Sequence, residues 1–133
     1  MVIVKNQKEV IDLLLKQKPV VIFQGSSEFG PRALGNRSML FDPRNKKAKE
    51  IINKIKGRQW WRPTAATILH EHKDEWFDFG NLTESPFMSF AVHAKEKAKQ
   101  ETPAVVHVNN TCRIQTLKKN QNPHYYNLIN EFY

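Results

Sequence analysis

Apolar residues recur along this chain at two different spacings, and the switches between them mark its elements. Asn6 followed three residues later by Glu9 has the spacing of a capping box. Val10, Leu13 and Leu14 follow at helical intervals, so a helix is expected from Asn6 to Gln17, where Lys18-Pro19 stops it. Val20 to Phe23 reads as a short buried strand, and Met39 to Asp42 as another, closed by the Asp42-Pro43 turn. A second helix over Asn45 to Lys56 aligns Ile51, Ile52 and Ile55 on one face and ends at Gly57.

Further strands are expected at Arg62–Glu71, Ser85–Ala94, Pro103–Asn109 and Arg113–Lys118. Asn122-Pro123 opens a last helix anchored by Tyr126, Leu128, Ile129 and Phe132. Helices scattered among strands predict an α/β domain of the mixed α+β kind, as a single domain over residues 1–133.

Composition narrows the class. The 133 residues suffice for one domain, which at that size buries roughly two thirds of its unfolded surface. No apolar run approaches the ~20 residues of a membrane span, and "MVIVKNQKEV" lacks the long apolar stretch of a secretion signal. Cys112 stands alone, which rules out an internal disulfide and makes a reducing cytoplasm the expected compartment. Lys and Arg exceed Asp and Glu by 21 − 13, a net charge of +8 that suits phosphate-bearing partners. Much of that excess, in "NKKAKEIINKIK" and "AKEKAK", reads as solvated helix faces.

A smaller set of cations stands beside Gly, Pro or aromatic residues. Arg32 and Arg37 lie in "EFGPRALGNRS", Lys56, Arg58 and Arg62 in "KGRQWWRP", and Arg113 in "HVNNTCRIQT". Planar guanidinium groups grip phosphate oxygens bidentately, and stiff loops spare the ordering cost when such a ligand arrives. Arg37 can instead anchor its loop through backbone carbonyls, and Arg44 can cap the turn after Asp42. Glu28 can pair with Arg32 to order the loop, or take a Mg²⁺ that accompanies a nucleotide. His70 and His72 would share one face of a strand, but with no third ligand near them in sequence no metal site is expected. Cys112 with His107 as base is a conceivable nucleophile, and a small buried thiol is the simpler reading. Neither a Walker-type loop nor GxGxxG occurs.

Taken together, "FQGSSEFGPRALGNRSMLFDPRN", "INKIKGRQWWRPTAATIL", "SPFMSF", "TPAVVHVNNTCRIQT" and "NPHYYNLINEF" resemble, in order, the C-terminal region of the carbamoyltransferase family. That family includes antibiotic O-carbamoyltransferases and nodulation carbamoyltransferases. The resemblance implies a twisted mixed sheet with flanking helices, like threonylcarbamoyl-adenylate synthase. It further implies binding of ATP, with Mg²⁺, and of carbamoyl phosphate, to make a carbamoyl-adenylate. A separate N-terminal domain with a histidine-bound metal then passes the carbamoyl group to a hydroxyl.

By the same resemblance Lys56, Arg58 and Arg62 match the family's basic phosphate-binding stretch, and Arg32 and Arg113 its other anion-binding arginines. Arg37, His107 and Thr111 join them as expected substrate- or nucleotide-binding residues, with Lys56 and Arg62 cast as catalytic. The chain departs from the family pattern in several places. Ser26 stands where an Arg is usual, Asn109-Asn110 replace Asp-Gly, and Cys112 replaces a small residue. "RPTAATIL" lacks a phenylalanine and a second proline seen in relatives. Asn is able to take the left-handed turn that the Gly would have made.

The sequence also stops before an Asn-Thr-Ser-Phe-Asn segment that relatives place next. The expectation is therefore an incomplete domain, working with a partner polypeptide that carries this segment and the transfer domain. The alternative is a non-catalytic module on the same fold that binds RNA or another polyanion, and a third reading is a decayed gene product that folds and binds nothing. The long arginine-bearing signature favours the enzyme over both.

Overall fold

Asn6 accepts a hydrogen bond from the backbone N–H of Lys8 at 3.0 Å and opens helix α1 (Gln7–Leu15), which buries Ile11 and Leu14. The structure, a computed structural model, describes residues 6–133, so the first five positions of the expected domain lie outside the described residues. β1 (Val20–Val21) and β2 (Met39–Leu40) pair antiparallel, with Val20 opposite Leu40. The buried strand expected over Val20–Phe23 is corrected here. Only two residues are strand, Ile22 is buried, and Val21 and Phe23 face solvent, because one face of a two-stranded ribbon is left uncovered.

Helix α2 (Ala48–Ile55) starts three residues later than expected, since the Asn45 side chain accepts from the Lys47 N–H at 2.9 Å and holds a turn there. It ends as foreseen, with Gly57 at φ +57°.

The remaining strands are β3 (Ala65–Leu69), β4 (Phe77–Asp78), β5 (Ala91–Ala94) and β6 (Thr111–Leu117). They form one mixed sheet in the order β3-β6-β5-β4, with β3 and β6 parallel and the other pairs antiparallel. A short α3 (Lys73–Trp76), α4 (Glu96–Glu101) and α5 (Pro123–Phe132) complete the described residues. This is the α+β class read from the periodicity.

Three strand expectations were too long, each for a local reason. Arg62–Glu71 shrinks to β3, because His70–His72 turn into a 3₁₀ helix. Ser85–Ala94 shrinks to β5, since Pro86 cannot donate to a ladder and Met88 sits at φ +55°. Pro103–Asn109 is no strand: Pro103–Val105 is a 3₁₀ turn, and Asn110 takes φ +59°, the left-handed position anticipated for it.

Two apolar clusters hold the domain together. One centres on Ile68, Phe77, Val92, Val105 and Ile114 around the sheet, the other on Ile11, Ile22, Leu117, Tyr125 and Leu128 beneath α1 and α5. No helix among the described residues is long and apolar enough to cross a membrane.

Candidate anion-binding cleft

The loop from Gly25 to Ser38 owes its shape to one carboxylate. Glu28 accepts the N–H groups of Leu34 at 2.8 Å and Asn36 at 2.6 Å. Burial pushes the Glu28 carboxyl up, but the N–H groups of Asn36 and Leu34 more than offset this and hold it below its usual range. The expected Glu28–Arg32 ion pair is therefore replaced by backbone contacts.

A relay ties the same loop to the sheet. The Tyr125 hydroxyl donates to Thr67 Oγ1 at 2.9 Å, Thr67 donates to Gln115 Oε1 at 3.0 Å, and Gln115 donates to the Leu34 carbonyl at 3.1 Å. Arg32 projects from this loop and is itself exposed.

Arg37 departs from the anion-binding expectation. Its guanidinium donates to the carbonyls of Gln24 at 2.6 Å, Asn36 at 2.9 Å and Gly25 at 3.2 Å, and lies 3.8 Å over the Phe23 ring. Those contacts make it the loop's anchor. Arg44 likewise serves the turn after Asp42, with its Nη2 2.6 Å from the buried carboxylate.

The second basic stretch hangs on Asn53, which is 1% exposed. Its side-chain amide donates to the carbonyls of Trp60 and Arg62, both at 2.9 Å, while its oxygen accepts from Arg58 Nε at 2.6 Å. One helical Asn thus fixes the path of the loop and the direction of its arginine. Sequence reasoning passed over it, and the available signal was a polar residue between isoleucines in "EIINKI".

β6 supplies the third cation. Arg113 is paired with Ala65 on one side and Ala91 on the other, so small neighbours leave its side chain room. Its Nε is buried without a hydrogen-bond partner among the described residues. Burial lowers the Arg113 pKa first, and the nearby Arg32 and Arg58 lower it further. Burial and Arg62 do the same to Arg58. Lys56 is also lowered, by the surrounding protein and then by Arg58, although its side chain reaches solvent.

Arg32, Lys56, Arg58 and Arg113 all line one cleft of about 680 Å³. Three segments far apart in sequence thus bring like charges together. Arg62 stands one step out, exposed, with Nε donating to Gln59 at 2.6 Å and its guanidinium 5.7 Å from the Trp61 ring.

His107 and Thr111 are not part of the cleft wall. Nδ1 of His107 lies 3.1 Å from Thr111 Oγ1, and its Nε2 lies 3.4 Å from the carbonyl of Thr64, which does line the cleft. The pair braces the turn that leads into β6.

Cys112 is fully buried and its thiol is pushed up to about 11 by that burial, which removes it as a nucleophile. The His70 and His72 idea also lapses. His72 pairs with Glu75 at 2.7 Å and stacks on Tyr133, and no group of three ligand-type side chains converges among the described residues.

Fold and cleft together define an α+β domain with a cationic recess. Sequence comparison makes the class specific: the model of the family described as "Carbamoyltransferase C-terminus" matches residues 11–133, and the chain belongs to that family. It is 47% identical over 82% of its length to "Nodulation protein NolNO" of Sinorhizobium fredii, covering 16% of that protein. "Nodulation protein NolO" of Bradyrhizobium diazoefficiens is 45% identical over 82% of the chain, which covers 20% of it. "Nodulation protein U" of Sinorhizobium fredii is 39% identical over 84%, again with 20% of that protein covered. The chain therefore spans a fifth or less of these relatives.

Proposed function

We propose that this chain is the anion-handling part of a carbamoyltransferase, binding ATP and carbamoyl phosphate in the cleft and making a carbamoyl-adenylate. One observation supports this above all: Arg113 keeps a buried Nε without a partner among the described residues, near Arg32 and Arg58. Holding three cations close without a carboxylate among them costs free energy in the free protein. A polyanion entering the cleft relieves it.

The chemistry asks for such an arrangement. Water would first cleave carbamoyl phosphate to carbamate and inorganic phosphate; an oxygen of carbamate would then attack the α-phosphorus of ATP, the bond to the bridging oxygen would break, and pyrophosphate would leave. Both reactants are anions. Fixed cations screen their repulsion and align the in-line displacement, and no side-chain nucleophile is needed. Arg58, Arg113 and Arg32 would hold phosphates, with Lys56 and Arg62 neutralising charge as it develops on the leaving pyrophosphate. Mg²⁺ would enter with the nucleotide and add to the charge neutralisation that Arg32, Arg58 and Arg113 would supply at its phosphates. Transfer to a hydroxyl acceptor would fall to a partner polypeptide or domain carrying the part of the family sequence outside the match, and the cytoplasm, where ATP is held, is the proposed compartment.

The test is exchange of labelled pyrophosphate into ATP, dependent on carbamoyl phosphate, with this chain supplemented by the rest of a relative's sequence. Exchange lost in Arg58→Ala and Arg113→Met supports the reading. A folded, supplemented preparation with none refutes it.

A second reading is RNA binding, which the exposed Trp60 and Trp61 beside Arg58 and Arg62 favour. It requires affinity for single-stranded RNA that falls steeply with salt and is indifferent to Arg113→Met.

A further inference from the structure

Two lysines line the cleft, Lys56 at the C-terminal end of α2 and Lys97 on α4. Their surroundings differ. Lys97 has its Nζ 3.3 Å from a Glu75 carboxylate oxygen and 4.3 Å from the centre of the Trp76 ring, so its charge is matched. Lys56 makes no ion pair with a carboxylate among the described residues. It shares the cleft wall with Arg32, Arg58 and Arg113 instead, and it is exposed enough for a reagent to reach. Burial of part of the side chain, and then Arg58, lower its pKa, so more of it is the neutral, nucleophilic amine than in an ordinary surface lysine.

A recess lined by charges of one sign raises the local concentration of small ions of the other. A neutral amine held there is open to an electrophile that arrives as an anion. The arginines are not, because a guanidinium stays protonated and has no lone pair to offer. Carbamoyl phosphate, the acyl phosphate proposed above to enter the cleft, is itself a source of such an electrophile. A proton passes from its nitrogen to a phosphate oxygen, the bond between the carbonyl carbon and the bridging oxygen breaks, and isocyanic acid, in equilibrium with cyanate, separates from inorganic phosphate.

We propose that Lys56 is a carbamoylation site, at which cyanate released from carbamoyl phosphate is captured as a stable urea and the cleft loses one of its cations. The Nζ lone pair attacks the carbon of isocyanic acid, a C–N bond forms as one C=N electron pair moves to nitrogen, and a proton passes from Nζ to that nitrogen. Nothing leaves, and no oxidant or reductant takes part. The product, a carbamoyl-lysine, is neutral. A bound polyanion keeps the lysine protonated and covers it, so modification falls on a cleft that holds no nucleotide while carbamoyl phosphate accumulates. The source of the cyanate rests on the reading of the cleft as a carbamoyl phosphate site, whereas the reactivity of Lys56 does not.

Cyanate itself is the probe. The chain is treated with potassium cyanate at about pH 8 for times short enough to modify few sites, and peptide mass spectrometry reads the rate at each lysine. Lys56 should be carbamoylated about tenfold faster than Lys54, which is exposed on the same helix but outside the cleft lining, and faster than Lys97 within it. Inorganic pyrophosphate should slow the reaction at Lys56 and leave that at Lys54 unchanged. In Arg58→Met and Arg113→Met the preference should fall to about threefold or less, as the field that gathers the anion weakens. Should Arg58→Met fail to fold, Arg113→Met decides. Equal rates at Lys56 and Lys54 overturn the proposal. So does a preference that neither pyrophosphate nor the arginine substitutions touch, which would mark a merely exposed amine. Carbamoyl phosphate in place of cyanate should label the same lysine as it decays, and no label there would overturn the source. Preferential labelling without pyrophosphate exchange would leave the modification site standing and remove the adenylating reading; exchange without preferential labelling would do the reverse.

Discussion

The ring of Tyr125 lies so near Gly35 that a β-carbon placed on that glycine would sit 2.3 Å from the ring's Cδ1. Gly35 also takes φ +119°, a backbone conformation closed to other residues. Gly30, at φ +117°, has nothing within 4 Å of the same position. Gly35→Ala should therefore cost about 2–4 kcal/mol, overpacking added to backbone strain, and Gly30→Ala about 1–2 kcal/mol from strain alone. Denaturant melts of the two variants check this, and equal losses would show that the Tyr125 contact contributes nothing.

Asn53 gives the second prediction. Replacing it with Ala removes two bonds to loop carbonyls and the side-chain acceptor of Arg58. Stability should fall by about 1–3 kcal/mol. ATP affinity should fall by about tenfold or more, because the loop and its cations lose their fixed direction. Asn53→Asp discriminates the two effects: it keeps the bond to Arg58 and loses the donors to Trp60 and Arg62. Calorimetric titration with ATP reads affinity, and a thermal melt reads stability.

Much of this was legible from residue spacing, and the limits have physical causes. α1, α2 and α5 follow from helical periodicity with a capping Asn, a Gly or an Asn-Pro at an end, and β6 from the alternation of its residues. β4 is only two residues long, too short for a period to register, and β5 keeps only the last four residues of the strand expected over Ser85–Ala94. α4, in "EKAKQE", buries Ala98 alone and offered no apolar stripe. Among the cations, a setting beside Gly, Pro or aromatic residues marked Arg32, Arg58 and Arg113, which line the cleft, but left out Arg44, which lines it too. That setting did not separate the three from Arg37, whose role depends on which carbonyls the folded loop turns towards it.

Acid should loosen the Gly25–Ser38 loop and the turn at Asp42 together. Burial raises the Asp42 carboxyl, but hydrogen bonds from the Arg44 side chain and N–H and from Gln17 outweigh it, so its pKa is lowered, as is that of Glu28. A carboxyl depressed by folding contributes its full stability above the unfolded value, about 4. That contribution is lost as pH falls from there through the folded value. Stability should thus be flat from neutral pH to about 5 and decline below. Glu28→Gln should flatten the decline while lowering stability at pH 7, since a neutral amide oxygen accepts the Leu34 and Asn36 N–H groups more weakly. A decline of unchanged steepness in that variant would remove Glu28 as its source.

Cys112 should be inert. With the thiol pushed up to about 11 and fully buried, its reaction with a disulfide reagent at pH 8 should be limited by opening of the fold. The rate should approach that of a free thiol only in denaturant. Cys112→Ala should keep full pyrophosphate exchange in the supplemented enzyme. Loss of exchange there with a folded protein would return the thiol to the list of working groups.

Arg113 separates function from stability most sharply. Its buried Nε has no partner among the described residues, and its charge lies near Arg32 and Arg58, so in the free protein it is held against both desolvation and repulsion. Arg113→Met keeps the apolar length of the side chain between Ala65 and Ala91 while removing the charge. The free variant should be as stable as the parent or more so, as when a strained buried charge is exchanged for an isostere. ATP affinity should drop by about tenfold to a hundredfold, and the rise in melting temperature that ATP gives the parent should shrink with it. Melts with and without ATP measure both sides. A variant less stable than the parent but undiminished in ATP binding would mean that Arg113 braces the sheet, and the cleft would then need another cation at its centre.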